Sequence, residues 1–326
     1  MRLHENRQLF NDAILAASRP KDEGGLGIKS IFIEKDYWIC RSLCLMAKND
    51  KDGRAIFKGG TSLTKAYGIG SRFSEDIDIA IAEAWTLSGN QLKNLIRNTA
   101  KNMTSGLSEL VIPGATSKGS HYYKVFYTYP REVKRLQIGT IKAGQLLVEI
   151  NSFANPYPYE KCELKCFLTD FLIQTGNNAL IDEYEMHPFV LPVLDKRRTL
   201  TEKLVSLLRY SLASNPITEL TAKIRHFYDL HYLFQNDDCR IYLQSNTFKE
   251  DLKSLFIHDQ HSFDKPEGWQ NKSYLDSPLI SDFHSVWLAL QDVYLRELPD
   301  LAYQKIASTQ EIEASICEIL AIIKKK

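Results

Sequence analysis

The sequence lacks several features that would place it at once. Charge of one sign is missing: 41 Lys and Arg stand against 40 Asp and Glu in 326 residues, a net charge of +1. Bulk electrostatics therefore announce no nucleic-acid partner, although a local basic patch stays open. Six cysteines are too few for a disulfide framework in a chain of this length. The pairs Cys40/Cys44 and Cys162/Cys166 have neither CxxC spacing nor flanking histidines, so zinc is not indicated. No apolar run approaches the ~20 residues of a membrane span. The first residues, MRLHENRQLFNDAILAAS, lack the apolar core of a signal peptide. There is no internal repeat, no low-complexity tract beyond the terminal KKK, and no P-loop spacing of glycines, lysine and hydroxyl. These absences lead to the expectation of a soluble, cytoplasmic, reduced protein without a membrane partner.

What is present is two patterns in succession. NRQLFNDAILAA and IFIEKDYWICRSLCLMAK show helical apolar spacing. AIF (55–57) then reads as a short strand ending at Gly59-Gly60, TSLTKAYG as a helix, and DIDIAIA as a strand with period two. Residues 88–107 read as helical, followed by strand candidates YYKVFYTY, LQIGTIK and LLVEINSF. Past residue 195 the strand signals cease. TLTEKLVSLLRYSLAS opens with Thr199 and Glu202 in capping-box spacing, and Asn215-Pro216 suits the start of another helix running to about 235. Residues 279–296 and 309–324 read as helices, and 257–278 as a loop. The expected organisation is α+β: an α/β domain with N-terminal helices over 1–190, then an all-helical domain over 195–326 that completes an active-site cleft. The boundary falls in HPFVLPVLDKRR.

The chemistry concentrates in FKGGTSLTKAYGIGSRFSEDIDIAI (57–81). Asp76 and Asp78, at i and i+2 of a strand, project to one side about 6–7 Å apart at Cα. Such a pair repels itself unless a cation lies beside it, and oxygen-only ligands favour a hard ion, Mg²⁺ or Mn²⁺. The KGGTS turn supplies a partner for phosphates: Gly59 and Gly60 allow close backbone approach, and free amides with the hydroxyls of Thr61 and Ser62 could cradle oxygens. Lys58 and Lys65 add positive charge. A lone GG is usually only a turn and a lone DxD usually a solvated face, but the two together point to metal-dependent transfer from an NTP. Glu149, on the strand face shared by Leu147 and Asn151, is a candidate third carboxylate; an edge-strand glutamate would look the same. In residues 117–142 six Lys/Arg face one acid, Glu132, with Tyr122, Tyr123, Phe126, Tyr127 and Tyr129 interleaved, a pattern suited either to RNA or to an ordinary strand. Lys196, Arg197 and Arg198 form a second basic cluster.

IEKDYWICRSL (33–43), FKGGTSLTKAYG with RFSEDIDIAI, TLTEKLVSLLRYSL and KIRHFYDLHYL together resemble the AbiEii/AbiGii-type nucleotidyltransferase toxins of the DNA polymerase beta-like superfamily. HDQHSF…GW (258–269) is similar too, less specifically. The resemblance implies a polymerase-beta-like nucleotidyltransferase domain and catalytic roles for Ser74, Asp76, Lys203 and Asp229. Spacing alone sets Asp229 opposite the stripe of Ile217, Leu220, Ile224 and Phe227, free to face a cleft or water, with an Arg225 ion pair as the competing explanation. Glu34 and Asp36 read as a helix-packing ion pair, and His226 as structural. The resemblance further implies an RNA acceptor such as tRNA, a cognate antitoxin, and a toxin–antitoxin or phage-defence role. A transferase acting on a protein hydroxyl or small molecule, or a catalytically silent nucleotide- or RNA-binding module, are the alternatives.

Overall fold

The computed structural model describes residues 1–324. The chain divides into two compact units, the first Met1–Tyr67 with Phe73–Leu194, the second Gly68–Arg72 with Asp195 onward. Among the described residues no helix is long and apolar enough to cross a membrane. Cys40, Cys44, Cys166 and Cys239 are buried thiols.

The first unit contains α1 (Arg7–Ala17), α2 (Ser30–Asn49), β1 (Ala55–Lys58), α3 (Gly59–Tyr67), β2 (Asp76–Ile81), α4 (Gly89–Met103), β3 (Ser108–Leu110), β4 (Ser117–Lys118) and β5 (Tyr122–Thr128). It continues with β6 (Gln137–Ile138), β7 (Ile141–Lys142), β8 (Gln145–Asn151), β9 (Tyr159–Leu164), α5 (Phe167–Gln174), α6 (Asn178–Glu183) and β10 (Phe189–Leu194). The main sheet runs β3-β5-β8-β2-β1-β10-β9, with β4 also on β5. It is mixed: β2 is parallel to β8 and antiparallel to β1, and β1 is parallel to β10. β5 and β8 alternate buried and half-buried residues along their length, so one face is core. Val125, Val148, Ile150, Ile77 and Ile79 fill that core face.

Two expectations, for LQIGTIK and for the start of the second unit's first helix, meet corrections here. LQIGTIK forms not one strand but a separate two-stranded hairpin, β6–β7. The stretch HPFVLPVLDKRR holds the division between the units, at Leu194 and Asp195, and also contains β10, which lies between β1 and β9 in the sheet. Leu191 and Val193 are buried there; Pro188 directly precedes the strand and Pro192 lies within it. The second unit's first helix starts earlier than its Thr199 signal suggested.

That unit is helical: α7 (Lys196–Ser211), α8 (Pro216–Thr221), α9 (Ile224–Gln235), α10 (Asp237–Leu243), α11 (Asn246–Ser262), α12 (Pro278–Ser281), α13 (Phe283–Leu301) and α14 (Thr309–Lys324). Asp195 caps α7 through the amide of Arg197, and Thr199 is buried inside the helix. Asn215 caps α8 with Pro216 in its first turn, as expected. The helix expected to run from 216 to 235 breaks at 222–223 into α8 and α9. Buried Arg209 organises the loop after α11. It bonds Asp259 at 3.1 Å and lies 4.3 Å from the Phe263 ring and 5.5 Å from that of Trp269. Asp259, Phe263 and Trp269 all lie in the HDQHSF…GW stretch.

α2 buries three consecutive charged residues, and each holds a different part of the first unit. Glu34 Oε1 accepts the amides of Glu132 and Val133, at 2.5 and 3.3 Å. Lys35 Nζ bonds Glu75 at 2.5 Å and the Lys142 carbonyl at 3.2 Å. Asp36 pairs with Lys65 at 2.7 Å and accepts the Phe167 amide at 2.6 Å. The expected packing ion pair thus exists for Asp36, whereas Glu34 grips backbone instead.

Burial pushes the Glu34 carboxyl up to about 7, against the two amides, which lower it. The folded state therefore holds a proton that the unfolded chain releases above about pH 4.3. This stabilising contribution is complete below that pH and is lost as pH rises through about 7. Glu34→Gln should remove the decline: equal to wild type near pH 4, and more stable by about 1–3 kcal/mol at pH 8. Denaturant melts at both pH values measure this, and a variant less stable at pH 8 would refute it.

Candidate nucleotidyl-transfer site

Strand register assembles the first part of the site. Lys58 on β1 pairs with Asp78 on β2, Asp78 with Glu149 on β8, and Glu149 with Lys124 on β5. Residues paired across a sheet share a face, so a row of cation, carboxylate, carboxylate and cation crosses four strands. Asp76, two residues earlier, shares that face and pairs with Leu147. All four are half-buried, as is Ser74 just before the strand.

The GG turn and the DxD strand are in direct contact, which explains their closeness in sequence. Gly59 has φ +83°, and a Cβ built on it would fall inside the Asp78 carboxylate, 3.1 Å from its Cγ. Only glycine permits both the left-handed backbone and this approach. Thr61 Oγ1 donates to the Asp76 carbonyl at 2.6 Å, and Ser62 Oγ to the Gly59 carbonyl at 2.8 Å. Thr61 thus fastens the turn to the strand and Ser62 braces the turn itself, so both buried hydroxyls donate their protons to backbone carbonyls. The first-turn amides of α3, Gly60 among them, are the donors that suit an anion. Lys65 is corrected: its ammonium is buried against Asp36 and the Phe167 ring, not held out toward a ligand. Gly59→Ala should cut transfer at least about tenfold, because αL strain of roughly 1–2 kcal/mol adds to displacement of Asp78. NTP turnover beside a thermal melt checks this; an active Gly59→Ala protein would separate the turn from the chemistry.

Glu149 lies beside Asp78 in register, yet its oxygens are engaged elsewhere. Oε1 meets Lys124 Nζ at 2.7 Å and Oε2 accepts the Tyr122 hydroxyl at 2.9 Å. Burial first, then Glu149, Asp78 and Asp76, push the Tyr122 phenol up. Among the described residues no cluster of three or more His, Cys, Asp or Glu is placed to hold a metal ion. The donor set that fits a hard divalent cation is Asp76 with Asp78, leaving further positions to substrate oxygens. Glu149 stands beside Asp78 on the same face and holds Lys124 and Tyr122.

The basic, aromatic stretch divides between two faces. Tyr122, Lys124 and Phe126 share the carboxylate face, whereas Tyr123, Tyr127 and Tyr129 are buried. The second basic cluster is compensated: Lys196 pairs with Asp238 at 2.7 Å, Arg197 with Asp195 at 2.7 Å and Arg198 with Glu202 at 3.7 Å.

In the second unit Lys203 and Asp229 come together, 2.8 Å apart. Asp229 does not face water; it is 5% exposed, and its partner is Arg72, with bonds of 2.7 and 2.6 Å from Nε and Nη2. Burial alone would raise the Asp229 carboxyl, but Arg72 and Lys203 hold it well below the usual carboxylate range. Arg72 belongs to a short segment seated in this unit. Tyr228 OH accepts the Ser71 amide at 2.9 Å, and the Ser71 carbonyl accepts the Tyr303 amide at 2.9 Å. Sequence reasoning missed Arg72, although its place directly before FSEDID was a signal. The His226 imidazole on the same helix is pushed down by burial and by Lys203 and Lys223.

A glycine turn locked onto a strand that carries two aspartates on one face, in a mixed sheet, is the arrangement expected of a nucleotidyltransferase. The chain belongs to the nucleotidyl transferase AbiEii toxin family, Type IV TA system, which matches residues 41–314. Its fold is similar to that of MenT4, a nucleotidyltransferase toxin from Mycobacterium tuberculosis H37Rv, at TM-score 0.53 and 15% identity over 97% of this chain and 90% of that one. JHP933 from Helicobacter pylori aligns at TM-score 0.41 and 16% identity, over 90% and 94% of the two chains. No curated protein matches.

Proposed function

We propose that this nucleotidyltransferase toxin moves a nucleoside monophosphate from an NTP to an RNA acceptor, tRNA above all, in the cytoplasm, under restraint by a cognate antitoxin and in a toxin–antitoxin or phage-defence setting. The observation that carries the reading is the row Lys58–Asp78–Glu149–Lys124 beside the Gly59 turn. In the reaction an acceptor hydroxyl attacks the α-phosphorus and pyrophosphate leaves. Mg²⁺ or Mn²⁺ held by Asp76 and Asp78 would neutralise phosphate charge. The α3 amides and Lys58 would bind phosphate oxygens, and Glu149 keeps Lys124 and Tyr122 placed on the same face. Tyr122 and Phe126 offer rings to unpaired bases, with Lys124 for a phosphodiester, which favours a nucleic-acid acceptor over a small molecule. Ser74 completes the SEDID block next to these carboxylates. The resemblance assigns Lys203 and Asp229 to the same reaction, and we propose that their part depends on the ion cluster they form with Arg72.

The test is incubation with each labelled NTP and total RNA, with and without EDTA. Metal-dependent label in one RNA class, lost in Asp76→Asn, supports the proposal. Label in protein or in a small molecule, with RNA unlabelled, overturns the choice of acceptor.

A further inference from the structure

The sheet face opposite Asp78 carries a cavity of about 640 Å³ that the transfer reaction does not use. Arg97 and Lys101 of α4, Lys118 of β4 and Glu109 of β3 line it, with Tyr123 and Tyr127 of β5 beneath. Strand alternation puts those two tyrosines on the other side of the sheet from Tyr122 and Lys124. The cavity is therefore separate from the carboxylate row.

Its charge is unbalanced. Lys118 is matched by Glu109 at 2.6 Å. Arg97 and Lys101, one helical turn apart and both exposed, have no ion-pair partner among the described residues. Like charges at i and i+4 repel by a few tenths of a kcal/mol unless an anion lies between them. The cavity floor also carries an unmatched donor. The Tyr123 and Tyr127 hydroxyls bond each other at 2.6 Å, and one such bond uses only one of the two phenolic protons. Tyr123 is pushed up by burial and by Tyr127, while Arg97 is near enough to act in the opposite direction. Two uncompensated cations and a spare phenol proton converge on a space too large for a lone inorganic anion and suited to a mononucleotide. Leu107 and the tyrosine rings give it an apolar wall.

We propose that this cavity binds the phosphate of a nucleotide, either a free mononucleotide or one residue of an RNA strand, as a second site independent of the transfer chemistry. The test is local and needs no turnover. Lys101 and Lys118 of the full chain are acylated with an amine-reactive ester, and their labelling is read by peptide mass spectrometry. AMP, a 5′-phosphorylated decaribonucleotide and adenosine serve as probes. Phosphorylated probes should slow labelling of both lysines several-fold, and adenosine should not. Arg97→Glu should raise the concentration required about tenfold, and Tyr127→Phe should raise it less. Protection by AMP assigns the site to free nucleotide; protection by the decaribonucleotide alone assigns it to RNA. No protection by either probe, equal protection by adenosine, or an unchanged Arg97→Glu response overturns the site. Because Arg97 is exposed, its variant should keep the wild-type melt, and transfer activity tested separately distinguishes failure here from failure of the catalytic reading.

Discussion

Asp76→Asn should yield a folded protein that transfers nucleotide about 10³-fold more slowly, a loss of ~4 kcal/mol in transition-state stabilisation. The side chain is half-buried at the start of β2, and its backbone carbonyl, which holds Thr61, is untouched by the change. The fold thus loses little, while the face loses half of its hard-oxygen pair. A neutral amide neither balances nor places a divalent cation as a carboxylate does. Asp78→Asn should be as inactive or slightly less so, and it tests something further. Asp78 packs on Gly59 and stands between Lys58 and Glu149, so its neutralisation also unbalances the row. The measurement is initial-rate labelling by NTP at saturating Mg²⁺, alongside circular-dichroism melts. An Asp76→Asn protein within tenfold of wild type would remove the two-carboxylate basis of the reaction. In cells the same pair gives a second readout: growth arrest on induction of wild type and none with Asp76→Asn. Equal arrest by both would mean that toxicity is not enzymatic.

The parts of this site legible in the sequence were those fixed by local rules. Period-two alternation set Asp76 and Asp78 on one face, and the glycines marked the turn, because both signals lie within a few residues. The helical character of the second unit was equally plain from its apolar spacing. What the sequence did not reveal was assignment of partners over long separations. Lys65 and Lys58 are equally good phosphate ligands on paper, and only burial beside Asp36, 29 residues earlier, removes Lys65 from that role. Thr61 and Ser62 look like free hydroxyls until the backbone carbonyls they satisfy are placed. β10 carries a proline and lies in a stretch that reads as a boundary, yet it pairs with β1 from far earlier in the chain. Glu34, Lys35 and Asp36 show how little residue type alone decides: three adjacent charges on one helix hold a backbone turn, the residue before the DxD pair, and the helix that begins at Gly59.

Asp229→Asn should destabilise the second unit by about 3–5 kcal/mol, the usual cost of leaving buried charge without its counter-ion. Asp229 is the carboxylate to which both Arg72 and Lys203 bond, and all three side chains are less than a tenth exposed. With an amide in its place, two buried cations face each other without neutralisation. Removing one cation as well should return part of the loss: Asp229→Asn with Lys203→Met is expected to be more stable than Asp229→Asn alone, a coupling that a double-mutant cycle reads directly. The pH dependence has a definite sign. The folded carboxyl is depressed, so the unfolded chain takes up a proton first as pH falls below about 4. The stability from Asp229 is complete above that pH and declines as pH drops toward the depressed folded value. The gap between wild type and Asp229→Asn should therefore be widest at neutral pH and narrow below about pH 4. Urea melts at pH 7, 5 and 3.5 would show it. A gap that stayed constant, or widened in acid, would mean that the cluster is not held together by the ionised carboxylate. Arg72 stands two residues before Ser74 and four before Asp76 in the same stretch of chain, which makes the cluster's part in transfer testable. Turnover by Arg72→Met, measured per folded molecule, should fall along with that of Lys203→Met. Full activity in both would leave the cluster as scaffold for the second unit alone.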